Sequence, residues 1–160
     1  GYKGIIDVNG NNKDGMEAIP RFIEKLEQGY DFVQGSRFMK GGVHYNTPLL
    51  RKLAITLLHA PLMTLVSRFR YTDSTNGFRG LSPKFLLDPR VQPFRDIFVK
   101  YDLLTYTAWR AARLGFKVCE IPVSRGYPPA GKIPTKINIK AYFEIIVDIL
   151  ALPFGKYNPK

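Results

Sequence analysis

The chain has 160 residues, 45% of them hydrophobic and 13% aromatic, which suffices for one globular core and excludes a disordered segment. Twenty-four Lys and Arg against thirteen Asp and Glu leave a formal charge of +11. Such a field draws polyanions: nucleotide phosphates, pyrophosphate lipids, nucleic acid or an anionic membrane face. The single cysteine, Cys119, excludes an internal disulfide and suits a reducing compartment, and its alternating apolar surroundings read as those of a buried, inert thiol.

Residues 4–9 read as a buried strand closed by the polar run Asn9-Gly10-Asn11-Asn12-Lys13-Asp14. Asp14 and Glu17 stand at capping-box spacing before a helix with Pro20 in its first turn, Phe22, Ile23 and Leu26 on one face, and Gly29 at its end. Residues 30–35 predict a second strand, and the three elements together form a βαβ unit with a parallel strand pair. The chain opens almost at once on an apolar strand, which reads as a segment of a longer domain.

Thr47 and Pro48 predict the N-cap and first position of a long helix carrying Leu49, Leu50, Leu53, Ala54, Leu57 and Leu58, with a break at Pro61. Gly77 to Leu81 reads as a short strand, and Ser82-Pro83 opens a short helix with Phe85, Leu86 and Leu87. A helix over 101–114 closes on Gly115, and residues 116–123 form a strand that Pro122 places near an edge. Residues 124–136 are a basic loop rich in Pro and Gly, followed by an amphipathic helix at about 138–152. The apolar run 145–152 is interrupted by Asp148 and falls far short of the roughly 20 residues that cross a bilayer. No repeat or internal boundary divides the chain, which reads as one domain, 1–160.

Thr72-Asp73-Ser74-Thr75-Asn76-Gly77-Phe78-Arg79-Gly80 gathers an acid, hydroxyls, an amide and an arginine around a glycine that admits a closely approaching ligand or strand. A site is the sharper reading of this stretch and a polar turn the plainer one. Asp7, Asn9 and Asn11 alternate on or just past the first strand and would face one way at its carboxyl end. They form either an oxygen ligand set for Mg²⁺ or Mn²⁺, or an Asx-rich turn. Arg37, Arg79, Arg125, Lys132 and Lys136 sit beside glycines or prolines. They are either solvated or converge on a pyrophosphate. His44 and His59 lack ligand-like partners and read as structural, and no Walker loop, HExxH, GxSxG or paired CxxC occurs.

In order and spacing, these pieces resemble the family 2 glycosyltransferases of the GT-A type, closest to the dolichyl-phosphate-mannose-synthase-like and bacterial polysaccharide enzymes. The match is carried by residues 5–14, Gln34-Gly35-Ser36-Arg37-Phe38, residues 72–80, residues 113–118, Glu120-Ile121-Pro122-Val123 and Gly131-Lys132. The resemblance implies an α/β fold: an incomplete Rossmann-like, mostly parallel sheet with helices on both faces. It implies inverting transfer of a sugar from a nucleotide-sugar donor to a polysaccharide, lipopolysaccharide or polyprenyl-phosphate acceptor, assisted by Mg²⁺ or Mn²⁺ at Asp7, Asn9 and Asn11. Asp73 and Asp102 would be the acceptor-side acids. Arg37, Asn76, Gly77, Arg79, Arg125 and Lys132 would contact substrate. Two departures stand out: Asn9 occupies a position where relatives carry an acid, and the amino-terminal half that holds the nucleotide base is missing from the match. The resemblance places the protein in the cytoplasm, at the inner membrane face. Residues 124–136 and the last helix would make peripheral membrane contact. The alternatives are a non-catalytic basic module for nucleic acid or another anionic polymer, and an inactive relative. No nucleic-acid motif is present, so no nucleic-acid partner is expected.

Overall fold

The computed structural model describes residues 1–99, 101–128 and 139–159. At its centre is β2 (Phe32–Ser36), all five residues of which are buried. Alternation along this strand sends Phe32 into one apolar core and Val33 into another, so both faces of the sheet are covered. β4 (Arg79–Leu81) pairs antiparallel with β2 on one side, and β5 (Val118–Pro122) pairs parallel on the other. β1 (Ile5–Asp7) pairs antiparallel with the outer side of β4, giving the order β1-β4-β2-β5. β1, β2 and β5 therefore run one way and β4 runs against them, the mixed but mostly parallel α/β sheet expected. A separate parallel pair joins β3 (Val43–Tyr45) to β6 (Ser124–Gly126).

The expected βαβ unit is present with one correction: β1 and β2 are not neighbours, because β4 lies between them. Gly80 makes this insertion possible, since a Cβ there would stand 3.2 Å from Phe22 and 3.4 Å from Leu26 and Val33, where helix α1 (Ile19–Glu27) crosses the sheet. β1 is also an edge strand with an exposed Ile5, not the buried strand expected. The capping box does not form. A 3₁₀ turn over Met16–Ala18 precedes α1 and its N-cap is Gly15 without a side-chain bond. Glu17 instead accepts from Ser124 Oγ at 2.6 Å, and Asp14 is used elsewhere.

The long helix begins after Pro48, without a cap from Thr47, as α2 (Leu49–Leu53). It widens into a π turn over Ala54–His59 and continues as α3 (Ala60–Ser67). The break expected at Pro61 thus appears as the π turn just before it. Ser82 caps α4 (Pro83–Leu86), its Oγ accepting the Phe85 N–H at 3.1 Å. α5 (Asp102–Arg113) and α6 (Ile139–Ala151) complete the chain. One core packs Phe22 of α1 with Val33, Phe78, Ile121 and Val123. The larger core packs Phe32 with Met63, Phe85, Tyr106, Trp109 and Ile149 from α3, α4, α5 and α6. Tyr106 Oη and Trp109 Nε1 donate to the Val91 and Val66 carbonyls at 2.7 and 3.2 Å, so both buried polar tips are satisfied.

Candidate functional site

The segment from Thr72 to Gly80 is held by two carboxylates. Asp73 is 0% exposed. Its Oδ2 accepts from Arg37 Nε at 2.6 Å and the Arg37 N–H at 3.2 Å, and its Oδ1 accepts from Arg37 Nη2 at 2.9 Å and Thr75 Oγ1 at 3.0 Å. From β5, Glu120 accepts the Thr72 N–H at 2.9 Å, Thr72 Oγ1 at 2.7 Å and the Asp73 N–H at 3.0 Å. Burial raises the Glu120 pKa, and these bonds only partly oppose it. Burial alone would weaken the Arg37 guanidinium, but the Asp73 charge and bonds outweigh it and leave the pKa raised.

Arg79 is 1% exposed and points inward. It donates to the carbonyls of Asn76 (3.1 Å), Leu104 (2.6 Å) and Ser74 (3.1 Å) and to Thr107 Oγ1 (3.1 Å), which ties the loop to α5. Burial pulls its pKa down to about 10. The expectation that Arg79 contacts a bound anion is therefore corrected: its donors are taken by the protein. Asn76 is also buried, with its carbonyl accepting from Gln34 Nε2 at 2.8 Å. Asp73, Asn76 and Arg79 shape the loop from beneath.

Above this loop lies a cavity of about 550 Å³. The loop contributes Ser74, Thr75 and Gly77, and the turn after β1 contributes Asn9, Asn11 and Lys13. The two oxygen-rich stretches therefore meet in one cleft. They fit because residue 77 has no side chain: a Cβ there would stand 2.7 Å from Asn9 Oδ1. Asn9 Nδ2 donates to Asp14 Oδ2 at 2.7 Å, and the other Asp14 oxygen pairs with Arg125.

Two unlike walls face each other. One is cationic: Lys13, Arg37, Arg51 and Arg125 surround Tyr127. Arg51 Nη1 donates to Tyr127 Oη at 2.9 Å, and Lys13 Nζ lies 4.9 Å from the ring centroid. Burial pushes the Tyr127 phenol up, yet the Arg51 bond and the charges of Arg37, Arg51 and Arg125 leave its pKa lowered, a sign of strong local positive potential. The other wall is apolar, built by Ala54, Ile55 and Leu58 of the π turn, Leu104 of α5, and Ile145 and Ile146 of α6. Between the walls, His59 Nδ1 and Ser74 Oγ are hydrogen-bonded at 2.9 Å. Burial lowers the His59 pKa to about 4, so the imidazole is neutral at physiological pH.

Of the residues singled out from sequence, Asn9, Asn11, Arg37, Gly77 and Arg125 line this cavity, while Asp7, Asp73, Asn76, Arg79 and Asp102 do not. Asp102 sits in the first turn of α5, where Oδ2 accepts the Val99 N–H at 3.2 Å. Lys132 and Lys136 lie outside the described residues. Of the expected metal set, Asn9 and Asn11 line the cavity and Asp7 does not. β1 ends at Asp7, so strand alternation does not carry through to Asn9 and Asn11, which stand in a turn with Asn12 in the left-handed region (φ 52°). Asn9 donates through Nδ2 to Asp14, which leaves its Oδ1 facing Gly77, and among the described residues no group of three His, Cys, Asp or Glu could hold a metal. No Asp or Glu appears among the described lining residues.

Sequence reasoning missed Lys13, Arg51, Tyr127, His59 and the apolar wall. Ser74 and Thr75 were within the quoted motif. Tyr127, two residues after Arg125, carried a signal in the pairing of an aromatic with a basic loop. Nothing in the leucine pattern of 49–58 distinguishes a cavity wall from a core face.

No family model matches the chain. Curated proteins do. A polyprenol monophosphomannose synthase of Mycolicibacterium smegmatis is 25% identical over 126 residues, 78% of this chain and 46% of that protein. An undecaprenyl-phosphate mannosyltransferase of Micrococcus luteus is 28% identical over 125 residues, 78% of this chain and 49% of that protein. A dolichyl-phosphate hexose transferase of Haloferax volcanii is 28% identical over 108 residues, 68% of this chain and 43% of that protein. The chain spans under half the length of each of these relatives. The resemblance to glycosyltransferases carried by the motifs is borne out by this likeness.

Proposed function

We propose that the chain forms the acceptor-binding side of a glycosyltransferase that moves a hexosyl group from a nucleotide-sugar donor to a polyprenyl phosphate, with inversion. The observation that carries this reading is the cavity, which sets an apolar wall against a cationic one. A phosphate with a hydrocarbon tail matches both walls; a free glycan leaves the apolar wall unmatched. In the reaction, a phosphate oxygen attacks the anomeric carbon, the bond from that carbon to the donor's diphosphate breaks, and the nucleoside diphosphate leaves with the electron pair. A phosphate monoester loses its second proton near a pKa of about 6. The nucleophile is therefore ionised already, which agrees with the absence of Asp and Glu among the described lining residues. A sugar hydroxyl acceptor would need such a base.

Lys13 and Arg51 would hold the acceptor phosphate by charge-assisted bonds, and their placement on separate elements would fix its attack line, while Arg125, paired with Asp14, adds positive potential. Arg37, already paired with Asp73, adds long-range potential. The divalent cation implied by the resemblance finds no carboxylate set among the described residues, so no step is assigned to it. The relatives' names, each a sugar transferase on a polyprenol or its phosphate, support the same acceptor class. A cytoplasmic site agrees with a lone, half-buried Cys119, whose thiol burial pushes up to about 11.

Binding of a short-chain polyprenyl phosphate in detergent, followed by calorimetry, tests the reading. Lys13→Gln or Arg51→Gln should each weaken binding roughly 10- to 100-fold, the worth of one charge-assisted bond of about 1.5–3 kcal/mol. The same polyprenol without its phosphate should bind far more weakly. Equal affinity for the two lipids contradicts the proposal.

A further inference from the structure

We infer that His59, Ser74 and Thr105 form a subsite for the hexosyl ring of a glycosylated lipid phosphate. The inference deepens the sugar-transfer reading and rests on it. Besides its cationic and apolar walls, the cavity has an uncharged polar sector, in which these three residues line it from three elements. His59 ends the π turn, Ser74 belongs to the loop before β4, and Thr105 lies in the first turn of α5. Arg79 clamps two of them together from beneath. It donates through Nη2 to the Ser74 carbonyl at 3.1 Å and through Nη1 to the Leu104 carbonyl at 2.6 Å, which sets Thr105 beside the loop. The bond of 2.9 Å between His59 Nδ1 and Ser74 Oγ joins the third. Thr75 also lines the cavity, but its hydroxyl is taken by Asp73 and Arg37.

The π turn is what brings His59 here. Arg51, Ile55 and His59 recur at every fourth position, and all three line the cavity. In a regular α-helix of 3.6 residues per turn, each such step drifts about 40° around the axis. The turn over Ala54–His59 takes more residues and reduces the drift, so His59 stays on the side of Arg51. It stands roughly 12 Å of helix beyond Arg51. One phosphate group does not span that distance. A phosphate held at Arg51 therefore leaves His59 to a neighbouring part of the same ligand.

Chemistry decides which part. Guanidinium and ammonium groups only donate, and suit phosphate oxygens, which only accept. A hydroxyl both donates and accepts, and so does a neutral imidazole. Burial lowers the His59 pKa to about 4, so the ring brings no charge to compete for the phosphate. With Nδ1 engaged by Ser74, Nε2 is the ring nitrogen left for a ligand. Thr105 Oγ1 makes one long bond, 3.4 Å to the Tyr101 carbonyl. A hydrocarbon tail laid over these groups would bury them without partners, at a cost in free energy. A sugar ring carries hydroxyls that meet them.

Calorimetry in detergent tests the inference on the whole chain with two diesters of one short-chain polyprenyl phosphate. The hexosyl diester and the methyl diester are equal in charge and differ by the ring. The hexosyl form should bind at least about tenfold tighter, the worth of two neutral hydrogen bonds. Ser74→Ala and His59→Leu should each cut that preference to about threefold or less and leave the affinity for the methyl diester unchanged. His59→Gln, which keeps a donor and an acceptor, should retain most of it. Ser74→Ala decides the matter if His59→Leu loses its native circular dichroism. No ring preference in the unaltered chain, or a loss that falls equally on both diesters, overturns the subsite and leaves the phosphate and tail sites standing. Failure of unglycosylated polyprenyl phosphate to bind brings down the underlying reading, and the subsite with it.

Discussion

Asp73→Asn separates a structural from a chemical role for the acid at the centre of the motif. The substitution keeps shape and removes the charge. Oδ2 of Asp73 accepts two donors of Arg37, at 2.6 and 3.2 Å. An amide NH₂ placed there would face those donors, and one placed at Oδ1 would face Arg37 Nη2 and Thr75 Oγ1. Arg37, 3% exposed, would keep a buried charge without its partner. Breaking a buried pair this way costs about 3–5 kcal/mol. At about 2–4 °C per kcal/mol for a domain of this size, the midpoint should fall by roughly 6–20 °C. Thermal and urea denaturation followed by circular dichroism measure it. A loss below about 1 kcal/mol would refute the reasoning. Unchanged stability with lost sugar transfer would show that Asp73 acts on substrate directly, as expected from the sequence.

Three further outcomes follow from the same geometry. Asn9→Asp would set a second carboxylate 2.7 Å from Asp14, replacing a charge-assisted bond with repulsion. Stability should drop by about 1–3 kcal/mol in urea titrations, whereas a gain in Mn²⁺-dependent activity without that drop would mean the position is a weakened metal ligand. Gly77→Ala would push a methyl against Asn9 Oδ1, and an overpacking loss of about 1–3 kcal/mol is expected, with weaker lipid binding in the same calorimetric assay. His59 should make stability pH-dependent. The unfolded chain takes its proton near 6.5 and the folded chain only near about 4, so the unfolded state binds more protons in between and stability falls as pH drops through that window. His59→Gln should flatten this slope; an unchanged slope would contradict the burial argument.

The order of elements was legible because its signals are local: Gly29 and Gly115 at helix ends, Pro20 and Pro83 at helix starts, and alternation at 116–123. The insertion of β4 between β1 and β2 was not, because a three-residue strand beside a polar loop has no periodic signature of its partner. The metal reading assumed that two-residue alternation continued past Asp7, where the chain turns instead. Asp14 was read as a cap because spacing cannot reveal a partner 111 residues away, Arg125. Arg37 and Arg125 meet in one cavity, but Arg79 turned inward, since a strand position beneath α5 offers it four protein acceptors. The leucines of 49–58 signal a helix, and only packing shows which of them face a cavity, the core or solvent.

Photocrosslinking tests the central claim most directly. A polyprenyl phosphate carrying a photoreactive group near the start of its tail should label residues 54–58 and 145–146, the apolar wall. Excess unlabelled polyprenyl phosphate should compete, and inorganic phosphate should compete only weakly. Labelling confined to the exposed leucines, or spread over the surface and indifferent to competitor, would contradict a phosphorylated-lipid site between these two walls.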